Sequence, residues 1–191
     1  MTLLVDPRPS LDGPLEALLT DLAARLEPLS GLDVSAVLIV SLSAHGSAAA
    51  SVRSLDGAAR TVVVSGKERR WELGLRPPFF LDGDAPRRLG TLVHELLHLD
   101  PTRNGALLED KRHARRPHEE HEREAQALAE RWLAAGDLSL LSPLGHHGEV
   151  LVRHWRHRPV PETGTRAFSD ADVFSAPVLL RTPEDRRTVW W

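Results

Sequence analysis

The residues best equipped for chemistry lie in the stretch Thr91, Leu92, Val93, His94, Glu95, Leu96, Leu97, His98, Leu99, Asp100. Its centre reads HExxH. On a helix turning 100° per residue, His94 and His98 stand about 40° apart, so both imidazoles can reach one metal ion. Glu95, turned about 100° from His94, can contact a water beside the metal and act as a general base. Leu89, Leu92, Val93, Leu96 and Leu99 recur at i, i+3, i+4 and i+7 spacing, which gives this helix a core face opposite its chemistry face. The chain has no cysteine, so any further ligand must be His, Asp or Glu.

A catalytic zinc takes three protein ligands and keeps a fourth position open. A second helix is expected over residues 117–135, closed by Gly136, with Ala125, Leu128 and Trp132 as its buried stripe. Among its acids, Glu119 and Glu122 point elsewhere and Glu120 is nearer, but Glu124, one turn before Leu128, is best placed to enter the interior. The chain also has no tyrosine, so a polar contact to substrate or transition state falls to His or Arg. His121, one turn before Glu124, and His146 and His147 are the first candidates, with His154 and His157 further downstream.

Other elements must hold these residues in place. A scaffold helix is expected over residues 10–29, capped by Ser10 or Asp12, with Leu15, Leu18, Leu19, Leu22 and Leu26 facing inward. Residues 34–42 form a continuous apolar run and read as a buried strand. Residues 49–55 and 60–65, separated by Asp56 and Gly57, read as a hairpin. Residues 69–75 alternate Trp71, Leu73 and Leu75 with Arg70, Glu72 and Gly74, as in a strand with one packed and one wet face. This order suggests an antiparallel meander with an exposed edge at residues 69–75, where an extended peptide could lie.

Pro77 and Pro78 end that strand, and Phe79, Phe80 and Leu81 read as a short extended piece. Asp84 caps the motif helix, with Pro86 in its first turn. Residues 101–117 read as a polar loop and 138–144 as an apolar segment. Residues 149–155 suit either strand or helix, and the chain beyond Arg158 is Pro-rich and polar as far as Trp190 and Trp191, which pack on the body. The fold class is α+β with an antiparallel or mixed sheet of about 3–5 strands on helices. Residues 1–145 form the main domain and 146–191 a C-terminal extension packed on it.

With 191 residues and 41% hydrophobic content the chain can bury one sizeable core. A net charge of −3 points to neither a nucleic-acid nor a membrane surface, and the basic run from Arg112 to Arg116 reads as a solvated loop. The first residues lack a basic start followed by a long apolar run, and no stretch reaches membrane-spanning length. A cytoplasmic protein is the expectation.

Families that share HExxH differ in their third ligand. The metzincin pattern HExxHxxGxxH meets Pro101 and Asn104 at its diagnostic places, and the peptide deformylases, which share the local HExxHLD, need a cysteine. The YbeY-type endoribonucleases replace the motif Glu by glycine and use a later His where this chain has Asn104. Glu122-Arg123-Glu124-Ala125, followed by Ala129, resembles the ExEAxxxA stretch of ImmA/IrrE-type metallopeptidases, a small gluzincin family with HExxH at a comparable distance upstream. This resemblance covers roughly residues 34–135. It implies a zincin-like fold, a zinc cofactor, Glu124 as third ligand and hydrolysis of peptide bonds in an intracellular protein substrate. No helix-turn-helix is read here, so a role in transcriptional control is not implied. The alternatives are a zinc-bearing module that binds peptides without turnover and a metal-independent interaction module.

Overall fold

The computed structural model describes residues 8–43, 48–56, 61–102, 105–108, 118–160 and 166–181. The expected turn at Gly57, the basic run Arg112–116, most of the 101–117 loop and the Trp190 and Trp191 pair lie outside these residues. Four α-helices and seven strands are present among the described residues: α1 (Asp12–Arg25), β1 (Val37–Ser41), β2 (Ala50–Ser54), β3 (Val63–Val64), β4 (Lys67–Glu68), β5 (Trp71–Leu75), α2 (Pro77–Leu81), α3 (Ala85–Leu96), α4 (His118–Ala135), β6 (Gly148–Trp155) and β7 (Val173–Leu180).

The fold is α+β around a mixed five-stranded sheet of order β2-β5-β1-β6-β7. The expected antiparallel meander is not formed. Strand β1 runs parallel to both β5 and β6, and only the outer pairs β2–β5 and β6–β7 are antiparallel. The reason lies in side-chain burial: β1 and β5 are buried at every position, so both faces must be covered and each strand needs two neighbours. The anticipated hairpin between residues 49–55 and 60–65 is replaced by two separate pairings. Strand β2 joins β5, while β3 turns back on β4 through Ser65 and Gly66, both at positive φ (55° and 69°) as a two-residue type I′ turn requires.

One face of the sheet carries Val37, Ile39, Leu73, Leu75 and Val152 against the helices, including the fully buried α1 leucines Leu15, Leu18, Leu19 and Leu22. On the other face, Leu38 and Val40 meet Leu55, Val62, Val64 and Phe168. Residues 79–81, expected to be extended, are helical in α2, where Pro77 and Pro78 occupy the first turn and need no backbone donors. The region after residue 145 supplies two strands to the same sheet, and β7 arises in the segment read as irregular. Helix α3 begins as expected, with the Asp84 carboxylate accepting from the backbone N–H of Arg87 at 2.9 Å.

Glu72, expected on a wet face, is buried. Its carboxylate accepts from Arg53 (2.7 and 2.9 Å), Arg158 (2.5 Å) and the indole N–H of Trp155 (2.6 Å). Burial alone would raise its pKa, but the hydrogen bonds and charges of Arg53 and Arg158 outweigh it and hold the carboxyl below its ordinary range. Because Arg53 lies on β2, this cluster fixes the outermost strand to the sheet.

Glu72→Gln removes the charge and turns one acceptor into a donor facing guanidinium groups. It should cost about 2–4 kcal/mol by denaturant unfolding at neutral pH, the lower part of that range reflecting the solvent reached by the arginines. Since the folded carboxyl titrates below its ordinary value of 4.5, its contribution is complete above that pH and is lost as pH falls through the folded value. Wild-type stability should therefore fall more steeply on acidification than that of the variant.

Candidate metal centre

Helix α3 is held at both ends. At its start Arg88, buried, donates to the carbonyls of Phe79 (2.8 Å), Phe80 (2.9 Å) and Leu144 (2.5 Å) and to that of Arg181, which ties the helix to α2, to the 3₁₀ segment Leu138–Gly145 and to the end of β7. At its end the backbone tightens: the N–H of Leu97 still reaches Val93 (3.1 Å), but that of His98 bonds Glu95 (3.1 Å) in a 3₁₀ turn. The chain then doubles back, with Asp100 N–H on Ala106 (3.2 Å) and Leu108 N–H on His98 (2.9 Å).

The third imidazole comes from α4. His94, His98 and His121 each offer a ligand atom, and these atoms all lie within 4.8 Å of one another. Ring centroids are 5.2 Å apart for His94 and His98, 4.4 Å for His94 and His121, and 4.5 Å for His98 and His121. Tetrahedral binding at about 2.1 Å needs nitrogens roughly 3.4 Å apart, a spacing that small ring rotations can reach from here. The donor set fits a divalent transition metal, because imidazole suits such ions and three ligands leave a position open.

This differs from the expected ligand set. His121 was a candidate substrate contact and Glu124 the candidate ligand, yet it is His121 that meets the motif imidazoles. Glu124 lies outside the converging group, one-third exposed, with its carboxylate 4.0 Å from His121 Nδ1. The phase of α4 explains the difference. Taking His121 as origin, Ala125, Leu128 and Trp132 fall at about +40°, −20° and +20°, so His121 sits at the centre of the buried stripe while Glu124 lies about 60° to one side. All four stripe residues are buried, and at Gly90 on α3 a Cβ would stand 3.2 Å from Gln126 Oε1 of α4. The 4-3-4 spacing of His121, Ala125, Leu128 and Trp132 was the signal available in the sequence.

The downstream histidines lie elsewhere. His146 and His147 precede β6 and are not among the residues lining the cleft, His154 stacks on Phe174 at 5.6 Å, and His157 lies 3.5 Å from Asp172. Glu95 is half-buried in the cleft. Burial pushes its pKa up to about 7, with a backbone hydrogen bond from Val52 and the charge of Arg76 acting in the opposite sense. A carboxyl poised near neutrality suits proton transfer.

The centre opens into a cleft of about 1450 Å³. One wall is residues 48–52, which run into β2, with Pro78 and Phe79 beyond it; Leu107 and Leu108 lie near the metal residues, and Glu119, Glu122 and Arg123 line the α4 side. The sheet edge at this cleft is therefore β2, not the internal strand β5 as expected. Ala49 O and Leu55 N bond across to Arg76 and Arg70, so by strand alternation the backbone groups of Ala50, Val52 and Ser54 face away from β5.

No helix among the described residues is long and apolar enough to cross a membrane. No protein-family profile, curated protein or solved structure matches the chain.

Proposed function

We propose that this chain is a zinc-dependent metallopeptidase with a zincin-like fold, in which His94, His98 and His121 hold the ion and Glu95 is the general base. The observation that carries this reading is the meeting of three imidazoles from two helices beside the Glu95 carboxyl, where a large cleft opens. The cleft exceeds the roughly 300–1,000 Å³ of ordinary small-molecule pockets and suits an extended chain. The HExxH and ExEA motifs resemble those of the ImmA/IrrE-type metallopeptidases, but here the proposed third ligand is His121, one helical turn before Glu124.

When bound, zinc would supply Lewis acidity at the scissile carbonyl and to water. The chain's own groups do the rest. The backbone groups of β2 that face away from β5 would pair with an extended peptide and set the register of the carbonyl over the centre. Glu95 takes one proton from the attacking water as its oxygen bonds to the carbonyl carbon, then passes that proton to the nitrogen as the carbon–nitrogen bond breaks. Val52 forms part of the β2 wall beside Glu95. The protein or peptide partner is thus recognised mainly through its backbone.

Two outcomes are expected. Purified protein should carry about one zinc per chain by elemental analysis, and His121→Ala should lose it as completely as His98→Ala; zinc retained in His121→Ala would reject the ligand set. Glu95→Gln should keep the metal but lower cleavage of an unfolded protein or a fluorogenic peptide mixture by about 10²–10⁴-fold. Undiminished cleavage would reject the base, and stable peptide binding without cleavage by the zinc-loaded wild type would favour a binding module.

A further inference from the structure

We propose that Glu124 is a positioning residue: its carboxylate accepts the Nδ1–H of His121 and so turns Nε2 toward His94 and His98. This rests on the metal reading above and deepens it. A neutral imidazole has one N–H and one lone pair. If the lone pair of Nε2 serves the ion, the proton resides on Nδ1 and needs an acceptor, and a carboxylate in that place fixes both tautomer and ring orientation.

The geometry assigns this role to Glu124 on two counts. Its Oε2 lies 4.0 Å from Nδ1 across one helical turn, little more than an ångström beyond a charge-assisted hydrogen bond of about 2.8 Å. It also stands outside the group of ligand atoms that lie within 4.8 Å of one another, so it reaches the ring of His121 without entering the ligand set. A fourth protein ligand would close the position that a catalytic ion keeps open, whereas a carboxylate behind the ring leaves it available. His121 and Glu124 then act as a unit, with the imidazole on the buried stripe of α4 and its acceptor on the shoulder of the same helix.

The test uses the full chain loaded with Zn²⁺ or Co²⁺. Glu124→Ala should weaken Zn²⁺, measured by competition with a chromophoric chelator, about 10- to 100-fold. The visible Co²⁺ spectrum should stay that of the wild type, because the ligand atoms are unchanged. Glu124→Gln, whose amide oxygen still accepts, should recover part of the affinity, and equal melting temperatures of the metal-free proteins would show that the fold is intact. Unchanged affinity in Glu124→Ala overturns the proposal, as does a loss equal to that of His121→Ala with an altered Co²⁺ spectrum, which would make Glu124 a ligand. A wild-type chain that takes up neither ion overturns the metal reading itself and this inference with it.

Discussion

The structure depends on the packing of α3 against α4 along a stripe in which one position is an imidazole instead of an aliphatic side chain. Ala125, Leu128 and Trp132 bury α4 through the hydrophobic effect, and His121 continues the same line one turn earlier. A polar group in such an interface costs about 1–3 kcal/mol when its hydrogen-bonding capacity goes unused. Helix packing therefore delivers the ring to the other two histidines, and the polarity of the ring gives that end of the interface its chemical meaning. Gly90 on α3 leaves room for the Gln126 side chain of α4, whose Oε1 would stand 3.2 Å from a Cβ there.

The sheet serves the same site from below. Its centre is parallel because two strands are buried on both faces, which leaves β2 at the margin with one strand neighbour among the described residues. A marginal strand is the least constrained part of a sheet, and here Arg53 anchors it through Glu72, with Trp155 and Arg158 completing the enclosure of that carboxylate. The charge cluster on one face thus ties down the strand that walls the cleft beside Glu95. Arg88 plays the matching role for α3, engaging backbone carbonyls from three parts of the chain.

Much of this was legible in local pattern. The HExxH spacing, the apolar stripe beneath it, the Asp84 cap, the extent of α4 and the buried character of residues 37–40 follow from helical or strand periodicity, which acts over a few residues. Periodicity could not assign partners. The alternation in β5 placed Glu72 in water because nothing local announces two arginines and a tryptophan arriving from positions 53, 155 and 158. For the same reason β2 and the segment after residue 57 read as a hairpin, although β2 pairs with β5 and leaves the free edge elsewhere.

The amino-acid sequence by itself determined which side chains could do chemistry here: two imidazoles and a carboxyl on one helix, and a second helix bearing both His121 and Glu124. The tertiary structure decided which of that second pair enters the centre. Residues three apart on a helix differ in direction by about 60°, and only the docking of α4 on α3 sets which direction faces inward.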